Sequence, residues 1–169
     1  MTDVELSYTF VVPPEDIREY LTPRSIIEYQ GTFDVRSVEE TVEGWKITVE
    51  SERMGPGSRS VLAVTETENG YAYEQLEGGV FETLRTEVAL EDSAEDEGET
   101  ELVIRSSFSF GGPFGFIKDW FGTAPRRREL ERLAFNLAND MRSETDHGAE
   151  SGENEDGGAG TDERRPAGN

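Results

Sequence analysis

The sequence predicts an α+β domain in which a curved antiparallel sheet of about seven strands surrounds one long C-terminal helix, with two short helices after the first strand. Three observations carry this reading. From Val4 to Phe110 apolar and polar residues alternate in short runs broken by turn residues, the period of half-buried strands. The breaks between most runs are too short for a parallel crossover, so neighbouring strands run antiparallel. Only the stretch from Pro113 to Arg142 reads as mainly helical, and its second half sets Leu130, Leu133, Ala134, Leu137, Ala138 and Met141 on one face. That face must be buried, and the strands are what the chain offers to cover it.

Taken in order, Val4, Leu6, Tyr8, Phe10 and Val12 alternate with polar residues in the first strand. Pro13-Pro14 ends it, and Glu15 and Asp16 behind a proline start a short helix at the end favoured by acidic groups. Thr22-Pro23 stops that helix, and a second short one spans Arg24 to Tyr29. The next strand begins at Phe33 and Val35, and a phase change near Arg36-Ser37 predicts a bulge. Trp45, Ile47 and Val49 mark the third strand and Arg59 to Thr67 the fourth. Asn69-Gly70 is a hairpin signal leading into Tyr71 to Leu76. Leu84, Thr86, Val88 and Leu90 give the sixth strand. Leu102, Ile104, Ser106, Phe108 and Phe110 give the seventh, before the turn Gly111-Gly112-Pro113. Gly122 and Pro125 break or restart the final helix. From Ser143 onward almost nothing is apolar, which predicts a domain over 1–142 and a disordered acidic tail over 143–169.

The charge balance restricts partners. There are 16 basic and 37 acidic residues, giving −21, and the only lysines are Lys46 and Lys118. Such a field repels nucleic acid and anionic membrane surfaces. Acid surplus, scarce lysine and no cysteine together resemble the proteins of salt-loving archaea. Without cysteine there is no disulfide, thiolate metal site or thiol nucleophile. No basic segment followed by an apolar run opens the chain, and no run is long enough to span a bilayer, so a cytoplasmic protein without stable membrane insertion is expected.

The element order, the opening Val-Glu-Leu-Ser-Tyr-Thr-Phe-Val-Val-Pro-Pro-Glu-Asp-Ile, the Asn69-Gly70-Tyr71-Ala72-Tyr73 hairpin and the Gly-Gly-Pro-Phe-Gly turn before the last helix resemble the helix-grip fold of the START-like (SRPBCC) superfamily over residues 3–142. That superfamily includes polyketide cyclases, birch-pollen-type allergens, lipid-transfer START domains and coenzyme Q-binding proteins. The resemblance implies binding or carriage of a small hydrophobic ligand, such as a lipid, isoprenoid or polyketide-like molecule, in a cavity between sheet and C-terminal helix. A cyclase- or dehydratase-like enzyme in the same cavity and a non-catalytic interaction module are the alternatives. No cofactor is implied.

Strand phase sends Tyr8, Phe10, Phe33, Leu102, Ile104, Phe108 and Phe110 inward, and the helix adds Leu133 and Leu137. Each is either cavity wall or plain core. Tyr71, Tyr73 and Gln75 share one face of their strand and, if that face is the inner one, bring hydroxyls and an amide to the cavity wall. Arg85 and Arg105 stand mid-strand, where they either pair with acids across the sheet or anchor an anionic head group inside. Arg126, Arg127, Arg128 and Arg132 form a basic cluster at a helix start, where the helix dipole disfavours it; it serves either a protein partner or the chain's own acidic surface. Phe114, Phe116, Trp120 and Phe121 would cap a cavity mouth or touch a membrane. Phe135 lies off the apolar face. The single histidine, His147, sits in the acidic tail without partners on a rigid frame, so no metal site is expected. No pair of carboxyls stands where acid–base chemistry would need it, so no catalytic residue is assigned.

Overall fold

The computed structural model describes residues 1–52, 56–93, 97–111 and 123–150, with residues 147–150 described by backbone alone. Strand β1 (Thr2–Phe10) is followed by the short helices α1 (Pro14–Arg18) and α2 (Ser25–Glu28). Strands β2 (Asp34–Glu40), β3 (Trp45–Glu50), β4 (Arg59–Glu66), β5 (Gly70–Gly78), β6 (Thr83–Asp92) and β7 (Thr100–Ser109) follow, then helix α3 (Thr123–Glu150). Every pairing is antiparallel, in the order β1-β7-β6-β5-β4-β3-β2. The first and last strands are thus neighbours, and α1 and α2 carry the chain from one edge of the sheet to the other. The register shifts between Val35 and Ser37, the position where the sequence changes phase, and again between Val61 and Leu62. Such bulges bend strands and help the sheet curl.

Alternation sorts the sheet into two faces. Inward go Val4 and Leu6, Ile47 and Val49, Leu62 and Val64, Leu84 and Val88, and Leu102, Ile104 and Phe108. Helix α3 lays Leu130, Leu133, Ala134 and Leu137 against them, and Ile17, Ile26 and Ile27 from the short helices close one end. Burial of each such side chain contributes roughly 1.5–3 kcal/mol. The outer face is charged. Arg36 and Arg59 hold Glu50 at 2.8 and 3.1 Å, and together they pull its carboxyl below the ordinary range, Arg59 contributing most. Among the described residues no helix is long and apolar enough to cross a membrane.

The last helix departs from expectation at its end. It continues to Glu150, past Arg142, where the apolar period stops. The extra turns gain local support: Ser143 Oγ donates to the Asn139 carbonyl at 2.9 Å and Thr145 Oγ1 to that of Met141 at 3.1 Å. Tyr20 also donates its hydroxyl to Glu144. Composition alone cannot register a contact with a residue more than a hundred positions away. Phe114, Phe116, Trp120 and Phe121 lie outside the described residues, as does the side chain of His147.

Candidate functional site

One row of the sheet is unlike the rest. Cross-strand pairing sets Val4 opposite Ser106, Ser106 opposite Thr86, Thr86 opposite Tyr73, and Tyr73 opposite Val64. Three polar side chains therefore stand side by side on the inner face, between valines. All three are buried. Thr86 Oγ1 and Ser106 Oγ lie 2.8 Å apart, in hydrogen-bond contact.

Arg126, in the first turns of α3, reaches over this row and is only 2% exposed. Each of its five N–H groups has a partner. Nε donates to Ser106 Oγ at 3.2 Å. Nη1 donates to Gln30 Oε1 at 2.9 Å and to Glu129 Oε2 at 2.8 Å. Nη2 donates to Thr86 Oγ1 at 2.7 Å and to the Tyr73 hydroxyl. Five donors are all a guanidinium has, so the group is saturated. Burial works against its charge, but Tyr73 and Glu129 more than offset that, and its pKa stands above the ordinary arginine value. The Tyr73 hydroxyl in turn donates to Gln30 Oε1 at 3.0 Å, and the Gln30 amide donates to the Ile26 carbonyl at 2.9 Å.

The segment after α2 is strapped to α3 along its length. Thr32 Oγ1 donates to Glu129 at 3.0 Å, Asn136 Nδ2 to the Tyr29 carbonyl at 2.7 Å, and the Tyr29 hydroxyl to Asp140 at 2.7 Å. Burial and the Asp140 contact raise the Tyr29 pKa, and the Glu144 contact pushes that of Tyr20 up to about 12. Gly31 makes the strap fit. Its φ of +69° lies in the left-handed region, and a Cβ there would stand 2.8 Å from Arg132 Cδ.

The expected residues divide into groups. Tyr73, Leu102, Ile104, Phe108, Leu133 and Leu137 are buried inside the grip, and Tyr8, Phe10, Tyr71 and Phe110 are half-buried against the same core. Phe108 and Phe110 pack with Phe81, and Tyr71 meets Trp45 edge-on with ring centroids 6.0 Å apart. The side chains of Ile104, Phe108, Leu133 and Leu137 keep no accessible surface and pack within one core cluster. Phe33 is buried in the same core and also lines an open cleft of about 540 Å³ with Glu28, Gly31, Asp34, Val35 and Arg36 at the corner between α2 and β2.

Two expectations are corrected. Arg85 and Arg105 are not interior anchors. Strand phase turns them outward, Arg85 onto Glu74 and Arg105 onto Glu5 at 3.1 Å and Glu91 at 3.3 Å. Glu5 foremost holds the Arg105 pKa up. The basic cluster on α3 is not one surface either. Arg126 is buried, Arg132 is half-buried with Nη1 3.5 Å from the Gln30 carbonyl, Arg127 pairs with Glu131 at 3.1 Å, and Arg127 and Arg128 are exposed. A signal for Arg126 was present: it precedes Leu130 by four residues and Leu133 by seven, on the apolar face. Thr86 and Ser106 likewise share the phase of their apolar neighbours. Nothing local marked Gln30. Among the described residues no three histidine, aspartate or glutamate side chains are grouped to hold a metal ion.

No family model and no curated protein matches the chain. Solved structures do. The protein TTHA0849 from Thermus thermophilus is 17% identical with a TM-score of 0.63, over 84% of this chain and 98% of that one. A START superfamily protein from Mycobacterium smegmatis is 13% identical with a TM-score of 0.63, over 83% and 97%. Norcoclaurine synthase from Thalictrum flavum is 12% identical with a TM-score of 0.56, over 82% and 84%. At these identities the likeness is one of architecture, and it agrees with the strand order and the position of α3: the chain has the helix-grip α+β fold.

Proposed function

We propose that the interior of the grip receives a small, mainly apolar molecule, of the lipid, isoprenoid or polyketide-like kind, and that the chain binds or carries it without converting it. The observation that carries this reading is the convergence of Arg126, Tyr73, Thr86, Ser106 and Gln30 inside an otherwise apolar core. Ligand sites have this composition, apolar walls with a few converging polar groups. A core needs no such cluster: an apolar replacement for a buried charge is often as stable or more so. Catalysis is less well supported. A guanidinium does not give up its proton in a protein, and Glu129 is the only carboxyl bonded to the cluster among the described residues. Where the ligand reaches the fully buried Phe108, Leu133 and Leu137, binding requires α3 and the sheet to part, which lowers the apparent affinity by the fraction of time they are parted.

Native mass spectrometry of the protein purified from its own host tests this, together with titration of an apolar fluorescent probe at molar KCl. A retained small-molecule mass or saturable probe binding supports the reading. Absence of both overturns it. One exposed feature favours a second reading, an interaction module acting through the outer face of α3, where Arg128, Phe135 and Arg142 stand exposed at seven-residue spacing.

A further inference from the structure

We infer that the ligand of the grip carries a carboxylate, received side-on by the Nε–Nη2 edge of Arg126 in place of the Ser106–Thr86 hydroxyl pair; this rests on the reading of the interior as a ligand site. The two edges of the guanidinium are differently committed. Nη1 faces the strongest acceptors, the Glu129 carboxylate and the Gln30 amide oxygen, and both are held from elsewhere: Glu129 by Thr32, Gln30 by Tyr73 and by its own bond to Ile26. That corner is an anchor. Nε and Nη2 form the fork that binds carboxylates bidentately, yet they meet only neutral hydroxyl oxygens.

Those hydroxyls can be released at little cost. Thr86 and Ser106 already bond each other, and Tyr73 already bonds Gln30. Lifting the fork away leaves none of the three without a partner, so the penalty for an orphaned buried polar group does not arise. A hydroxyl also donates as readily as it accepts. On arrival of a carboxylate, two charged N–H groups and the neighbouring O–H groups can all turn toward its oxygens. The paired Ser106 and Thr86 oxygens, each bonded to one arm of the fork, already stand where the two oxygens of such a ligand would. Beyond them the interior is apolar, with Phe108 and Ile104 flanking Ser106 on the same strand face. The chemical class is therefore an apolar monocarboxylic acid.

The net charge of −21 makes the test clean, because the molecule's overall field repels anions. Any preference for an acid over its neutral counterpart must be local. Full-length protein is titrated in molar KCl with dodecanoate, dodecanol and dodecylamine by displacement of an apolar fluorophore. The expected result is dodecanoate at least tenfold tighter than dodecanol, with dodecylamine weakest. Arg126→Met should remove the acid's advantage, so that dodecanoate and dodecanol bind the variant within about threefold of each other. If Arg126→Met does not fold, Thr86→Val with Ser106→Ala keeps the cation, strips the fork of two resident acceptors, and should widen the acid's advantage over the alcohol. Dodecanoate binding no tighter than dodecanol would overturn the carboxylate assignment and leave the grip as an apolar site. Failure of all three to bind would overturn the ligand reading itself. An acid advantage that survives Arg126→Met would place the anion elsewhere and equally sink the assignment.

Discussion

Glu129→Ala and Arg126→Met disturb one contact from opposite ends, and their costs should differ. The first leaves a buried cation whose remaining partners are all neutral. Stripping one partner from a buried pair costs ~3–5 kcal/mol, and the low end applies because the Glu129 side chain keeps 17% of its surface in water. The second removes the charge, inserts an apolar chain of similar reach, and orphans no hydroxyl. It should stay within about 1 kcal/mol of the parent. Urea midpoints of both variants check the order; a larger loss for Arg126→Met would mean that the cation itself holds α3 to the sheet. Tyr20 offers a second residue-level check, in pH. Its pKa is raised from 10.0 to about 12 by Glu144, so the folded state favours the protonated phenol. Stability from this contact is fully present below pH 10.0 and is lost as pH rises through about 12. Thermal unfolding between these limits should fall less steeply for Tyr20→Phe than for the parent. Equal slopes would show that the hydroxyl does not hold Glu144 in solution.

At the level of elements, the full burial of Leu130, Leu133 and Leu137 makes α3 an ordinary core helix in its cost of truncation. Leu137→Ala should destabilise by ~2–5 kcal/mol, the range for opening a void in a packed interior. A loss below about 1 kcal/mol, read from denaturant midpoints, would reveal space that the packing does not show. Ending the chain after Arg142 removes Glu144, and the melting temperature should drop by no more than Tyr20→Phe lowers it. The elements are largely legible in the sequence for a simple reason: period-two runs such as Leu84-Thr86-Val88-Leu90 encode a strand and its faces in the same letters. The bulge by Arg36 is legible because a bulge is itself a break in that period. The end of α3 is not, since residues 143–150 have no apolar period and are supported by a tyrosine far away in sequence. Arg126 is hidden by its neighbours. Three consecutive arginines look like a charged surface, and only helical phase separates the buried one from Arg127 and Arg128. Arg85 and Arg105 show the converse: the same strand phase that sends Thr86 and Ser106 inward sends them out onto acids.

For the whole molecule the largest long-range effect is self-repulsion. A charge of −21 leaves the ion pairs on the outer face of the sheet far outnumbered by unmatched acids, and salt acts on both. The Debye length falls from ~10 Å at 0.1 M to ~3 Å at 1 M, which weakens pairs already in contact less than repulsions spread over the surface. The melting temperature should therefore rise by many degrees between low and molar KCl. A flat or falling response would mean that the ion pairs, not the net charge, govern stability.

The row Ser106–Thr86–Tyr73 also acts as a checksum on assembly. Sliding β6 or β7 by one residue would turn its hydroxyl to the charged outer face and strand part of the guanidinium among apolar side chains. Sliding α3 by one turn, ~5.4 Å, would set Leu130 or the helix start over the hydroxyls and carry Arg126 away from them. Either error forfeits several charged hydrogen bonds at once, whereas apolar contacts alone would accept many near alternatives. The buried arginine thus distinguishes the correct docking of the helix from its neighbours by a gap that oil-like packing cannot supply.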